Sequence, residues 1–247
     1  MPSTVSSLWY VDAPDPLAVL RAHPGPDPDA AFALARQLNP DRDVVPAASG
    51  TMKVWAGPDP ESVYIGCYPG VTVVCSTRAA LPRPKKLPEL LVRPLASEHT
   101  YLICYDLSLG WGAFAYWERG EFRRSFSAIR VNILEDEGMP RVWERPYWAG
   151  EHPIELAPGE LLDPQLLPFD PPDFAEAANQ EWLGFRYRGK ASETDLTADG
   201  IEVCGFSLFP KGEAPGAPEA VPEPHAEHNG GSRRGLLRWL RGGDRVS

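Results

Sequence analysis

This sequence predicts an α+β fold: a mostly antiparallel sheet with short flanking helices. Three observations predict it. Short apolar runs separated by turn residues recur from about residue 7 to residue 209, the pattern of strands. Helical periodicity is confined to brief stretches, three of them opened by Asp-Pro. Proline accounts for 28 of the 247 residues, far above the usual ~5%. It lacks an N–H and crowds the preceding turn, which keeps helices short. Strands alternate with helices early and cluster later, as in α+β domains.

Residues 7–11 read as the first strand. Asp15-Pro16 opens a helix to about residue 23, with aspartate as cap and proline in the first turn. Asp27-Pro28 repeats the device, and Ala31, Leu34, Ala35 and Leu38 form one apolar face before Asn39-Pro40 stops the helix. Strands follow at about 43–48, 51–55, 62–67 and 71–75. Pro69-Gly70 turns the last pair, and 57–60 is another turn. Residues 84–95 are a short helix or turn between prolines. Asp170-Pro171 starts a helix with Phe174, Ala177, Ala178 and Trp182 on its apolar face and Gly184 after its end. Residues 185–188 and 201–209 read as closing strands.

The richest stretch is 100–153, which holds four of the eight tryptophans. Strands are expected at 100–107, 111–118 and 121–128, with Arg119-Gly120 as a two-residue turn. An unbroken register sets Trp117 against Phe122, Ala115 against Arg124 and Ala113 against Phe126. Tyr116 then meets Arg123, and Glu118 meets Glu121. Aromatics on both faces predict a hairpin covered on both sides. A long proline-marked loop is expected from about 129 to 168, with Glu135, Asp136 and Glu137 as a solvated acidic run.

Hydrophobic residues make up 43% of the chain, enough for a core. The net charge is −10, and the six basic and five acidic residues after Pro210 leave −11 on the preceding body. That excludes nucleic acid as the body's partner, since phosphates would be repelled. Cys67, Cys75, Cys104 and Cys204 lie in apolar runs without a C-x-x-C pair, so reduced buried thiols are expected. No metal or cofactor is implied. Without a basic region followed by an apolar run at the start, or any apolar run near ~20 residues, a cytoplasmic location is expected.

Trp143, Glu144, Arg145, Tyr147, Trp148, Glu151 and His152 form the one polar-aromatic cluster. Chemically, Glu151 or His152 is a candidate general base, Arg145 an anion holder, and the two glutamates an acid–base pair. Structurally, the same residues would pin the loop. Ser125 and Ser127 lack a nucleophile-elbow context, and Gly110-x-Gly112 precedes no helix. The reading is therefore a non-catalytic binding protein for a protein or small ligand, with Trp143, Arg145, Tyr147 and Trp148 as its surface. A hydrolase-like enzyme centred on Glu144, Glu151 and His152 is the alternative.

The body resembles a family of uncharacterised actinomycete proteins. The resemblance rests on Tyr68–Cys75, on Ala113–Glu118 with Arg123-Arg124-Ser125, and above all on Glu144-Arg145-Pro146-Tyr147-Trp148-Ala149-Gly150-Glu151-His152-Pro153. Leu167-Pro168-Phe169 and Gly184-Phe185 continue it. The family pattern places a histidine where this chain has Asp170. The resemblance implies a domain at about 1–210 and no mechanism.

Residues 211–232 have almost no bulky apolar side chain, so a disordered linker is expected. It leads to a basic amphipathic segment, 233–243, with Arg233, Arg234, Leu236, Leu237, Arg238, Trp239, Leu240 and Arg241. This segment looks like the short membrane-targeting helices that end Min-type division ATPases. Its apolar residues suit a headgroup boundary and its arginines suit anionic lipid, each worth about 1 kcal/mol. Weak peripheral contact with the inner face of the cell membrane is the expectation. A disordered end, or docking on the acidic body, is the alternative.

Overall fold

The computed structural model describes residues 3–22, 25–154, 164–188 and 196–215. The compact unit Met1–Ala214 holds all but the last of these. The segment 233–243 and most of the linker lie outside the described residues. At the linker's start, Asp43 accepts from the Gly212 amide at 2.7 Å and pairs with Lys211 at 3.1 Å.

The chain runs β1 (Thr4–Val11), α1 (Pro16–Ala22), α2 (Pro28–Leu38), β2 (Arg42–Thr51), α3 (Met52–Trp55), β3 (Ser62–Tyr68) and β4 (Val71–Cys75). It continues through α4 (Glu89–Val92), β5 (His99–Asp106), β6 (Trp111–Glu118), β7 (Glu121–Ile129), β8 (Asn132–Gly138), α5 (Arg145–Trp148), α6 (Pro171–Leu183) and β9 (Glu202–Pro210). Nine strands form one sheet in the order β2-β9-β3-β4-β1-β5-β6-β7-β8. Every pairing is antiparallel. The last strand is inserted beside the edge and pairs with both β2 and β3.

The sheet separates two cores. On one face, α6 lays Phe174, Ala178 and Leu183 over Trp9, Ile103, Phe114 and Phe126. On the other, α2 lays Ala31, Leu34, Ala35 and Leu38 over Leu8, Ile65 and Val74. The Asp-Pro starts of α1 and α2 work as expected: Asp15 accepts from the Ala18 amide, and Asp27 from those of Asp29 and Ala30. Asp170 does not cap α6; its carboxylate pairs with Arg130 at 2.8 Å. Gly184 ends that helix in the left-handed conformation, which glycine adopts without strain.

Several expected elements are corrected. Residues 52–55 are a helical turn, not a strand. Residues 185–188 carry only a bridge from Arg186 to Thr197. The expected long loop contains β8, a 3-10 turn at Val142–Glu144 and α5. The β6–β7 register holds at Trp117–Phe122 and Glu118–Glu121, then slips by one residue. Tyr116 faces Arg124, and Phe114 faces Phe126, leaving Arg123 as a bulge. A one-residue slip moves every later side chain to the other face. The slip therefore puts Arg124 and Phe126 under α6. Arg123, turned outward, reaches Glu118 and Glu121, each at 3.0 Å, and relieves the repulsion between them.

Candidate functional site

The polar-aromatic cluster is divided by the fold. Glu144 is fully buried, and its carboxylate receives both prongs of Arg124: Nε at 3.0 Å and Nη2 at 2.7 Å. It also accepts from the Arg141 amide at 2.9 Å. Arg124 is buried too, and it donates to Asp136 at 2.5 Å and to the Ser125 and Glu137 carbonyls. Burial works against the guanidinium charge, but Glu144 and Asp136 outweigh it and hold Arg124 above its ordinary value. This network joins β7, β8 and the turn before α5. The acidic run is thus an edge strand rather than a loop, with Glu135 buried and Asp136 and Glu137 exposed but paired. Glu135 accepts from Ser125 and from the Lys85 amide, and Glu137 pairs with Lys85.

Arg145, Glu151 and His152 are exposed, and the His152 ring stacks on Tyr147 with centroids 4.1 Å apart. Tyr147 is buried, while Trp143 and Trp148 are half-buried with unpartnered indole N–H groups. Their rings pack edge-on or tilted against Phe114, Phe126, Phe169 and Phe174. Three of the four expected surface residues therefore contribute to the α6 core, and only Arg145 stands free of it. The spacing of the sequence could not show this, because the bulge in β7 decides what lies beneath.

Sequence reasoning missed a concave site on the opposite face. A cavity of ≈ 490 Å³ opens at one end of the sheet, bordered by Thr4, Ser6, Ala80, Asp106, Trp111 and Leu134, among others. Thr77, in the 3-10 turn Thr77–Ala79, and Pro82 also line it. Leu109 at the mouth is 68% exposed. Most polar groups here are already engaged. The Trp111 indole donates to Ser127 at 2.9 Å, and the Ser6 hydroxyl to the Ser76 carbonyl at 2.5 Å. One Asp106 oxygen accepts from the Ser108 amide and hydroxyl. The signal was in the chain only as scattered small and apolar residues from five separate segments.

All four cysteines are free thiols, with Cys75 and Cys104 buried and Cys67 and Cys204 half-buried. Burial pushes the Cys67 thiol up to about 11, away from the reactive thiolate. Among the described residues no cluster of His, Cys, Asp and Glu could hold a metal ion. No helix among them is long and apolar enough to cross a membrane. A family model, "Family of unknown function (DUF6928)", matches residues 5–206. No curated protein and no solved structure shows significant similarity.

Proposed function

The chain belongs to that family, and from this premise we propose that the protein is a non-catalytic binding protein whose cavity takes a small, mostly apolar ligand. The observation that carries the reading is the cavity itself. Its ≈ 490 Å³ lies within the ~300–1,000 Å³ of small-molecule sites, and its lining is largely apolar. Among the described residues that line it, Asp106 is the one carboxylate and none is basic, and the body is acidic. Both favour a neutral or cationic ligand over an anion.

The alternative is a hydrolase-like enzyme on Glu144, Glu151 and His152. It would need Glu144 freed from Arg124, and both Glu144 oxygens are engaged. Lipid contact by residues 233–243 is a separate proposal from sequence. It expects salt-sensitive co-sedimentation with anionic vesicles that is lost on truncation at Gly231.

The cavity is tested with N-phenyl-1-naphthylamine, a neutral apolar fluorophore. Saturable 1:1 binding is expected. It should vanish in Ala80→Trp, which fills the mouth from an exposed position. Equal binding by both proteins, with unchanged unfolding temperature, would sink the reading.

A further inference from the structure

The cavity at the end of the sheet has an uneven supply of polar groups. Among the described residues that line it, the Trp111 indole is the only side-chain N–H, and it is spent on Ser127 at 2.9 Å. The Ser6 hydroxyl is spent on the Ser76 carbonyl. Asp106, the one carboxylate, is half-buried and stands where β5 runs into the β5–β6 turn.

That turn holds Asp106 by one oxygen. Oδ1 accepts from the Ser108 amide at 2.8 Å, the Ser108 hydroxyl at 2.6 Å and the Leu109 amide at 3.3 Å. These bonds fix the carboxylate beside Leu109, the exposed residue at the mouth. None of the three uses Oδ2. Deeper in, Val5, Ile129 and Leu134 offer only apolar surface.

A ligand that matches this arrangement is amphiphilic. Its apolar body fills the cavity, and its head at the mouth brings N–H donors and a positive charge. A head at the mouth keeps part of its water, so it escapes most of the desolvation that burdens buried charges. A carboxylate or phosphate head meets the Asp106 charge and finds no open side-chain N–H on the wall. A hydroxyl head donates one bond and brings no charge.

We propose that the cavity is a site for a small primary amine, whose ammonium group pairs with Asp106 Oδ2 while its apolar body lies against the wall. This rests on the cavity reading and narrows it to one ligand class.

Calorimetry on the full chain tests it with three naphthalene derivatives of similar size: 2-(1-naphthyl)ethylamine, 2-(1-naphthyl)ethanol and 1-naphthylacetate. The amine should bind about tenfold more tightly than the alcohol, the worth of a charge-assisted bond over a neutral one, and the acid should bind most weakly. The advantage should shrink in high salt. Asp106→Asn keeps an oxygen for the Ser108 and Leu109 amides and removes the charge, so it should bring amine and alcohol to equal affinity. Equal affinities in the parent, a comparison that needs no variant, would overturn the proposal and leave the cavity reading standing. An amine advantage that survives Asp106→Asn would overturn it too, because the acidic body as a whole would then be the attractor. Failure of all three to bind would remove the cavity reading, and the proposal with it.

Discussion

The two faces of the sheet solve burial differently. Under α6 the core is aromatic, and charge is buried inside it: the Arg124–Glu144 pair, both fully enclosed, and Glu176. Under α2 the core is mostly aliphatic, and its buried hydroxyls bond carbonyls, as Tyr10 does with Leu91 and Thr100 with Val92. The difference follows what each face must hold. The α6 face carries an irregular segment, 139–148, whose backbone has few ladder partners, so a bidentate ion pair fixes it. The α2 face is covered by a regular helix and short proline-rich turns. Those turns border a cavity, and the buried carboxylate that meets them, Glu135, accepts from Ser125 and the Lys85 amide without a guanidinium partner.

If this contrast is right, breaking the charged face should cost most. Arg124→Met leaves Glu144 buried without its partner, and a loss of about 3–5 kcal/mol is expected from denaturant unfolding. Adding Glu144→Met should recover most of it, since an apolar pair of similar volume avoids the stranded charge. A double variant no better than the single would show that geometry, not charge, holds the segment.

Glu176 gives the next largest effect and a pH signature. Burial, foremost, raises its carboxyl from 4.5 to about 7. The native state therefore holds the proton more tightly than the unfolded chain. Its contribution is fully present below pH ~4.5 and is lost as pH rises through about 7. The full difference is on the order of 3 kcal/mol. Glu176→Gln should flatten the stability profile between pH 5 and 8, gaining on the parent at the alkaline end. Parallel profiles would count against a titrating Glu176.

On the α2 face, Tyr10→Phe removes a neutral hydrogen bond to Leu91, made at 2.7 Å. It should cost only about 1 kcal/mol in the same assay. A loss as large as that of Arg124→Met would erase the contrast. Smallest of all, Glu151→Gln and His152→Ala are exposed changes and should stay within about 0.5 kcal/mol.

Much of the fold was legible because its signals were local. Asp27-Pro28 and the apolar spacing after it specify α2, and Arg119-Gly120, both at positive φ, specify the β6–β7 turn. The bulge at Arg123 was not legible. Both alternations after the turn, Phe122-Arg124-Phe126 and Arg123-Ser125-Ser127, can be buried on a two-faced sheet, so the pattern fixes no register. Glu144 looked catalytic for the same reason, because its partner is on the face that the register decides. Residues 51–55 alternate like a strand, yet the sheet keeps only Thr51, the end of β2, and the chain turns into a helix from Met52. Asp136 and Glu137 are exposed, as expected, but the pairing of the run was hidden because Arg124 and Lys85 are distant in sequence.

The insertion of β9 has a consequence for synthesis on the ribosome. β2 pairs only with β9, and one edge of β3 waits for it too. Thr51 ends β2 and Glu202 begins β9, about 150 residues later. At ~5–20 residues per second, the nascent chain holds β2 unpaired for roughly 8–30 s. During that time β2 offers an unpaired strand to any other chain nearby. Its Pro46 and the irregularity between Ala47 and Gly50 suit it to that wait, because both interrupt a continuous pairing edge.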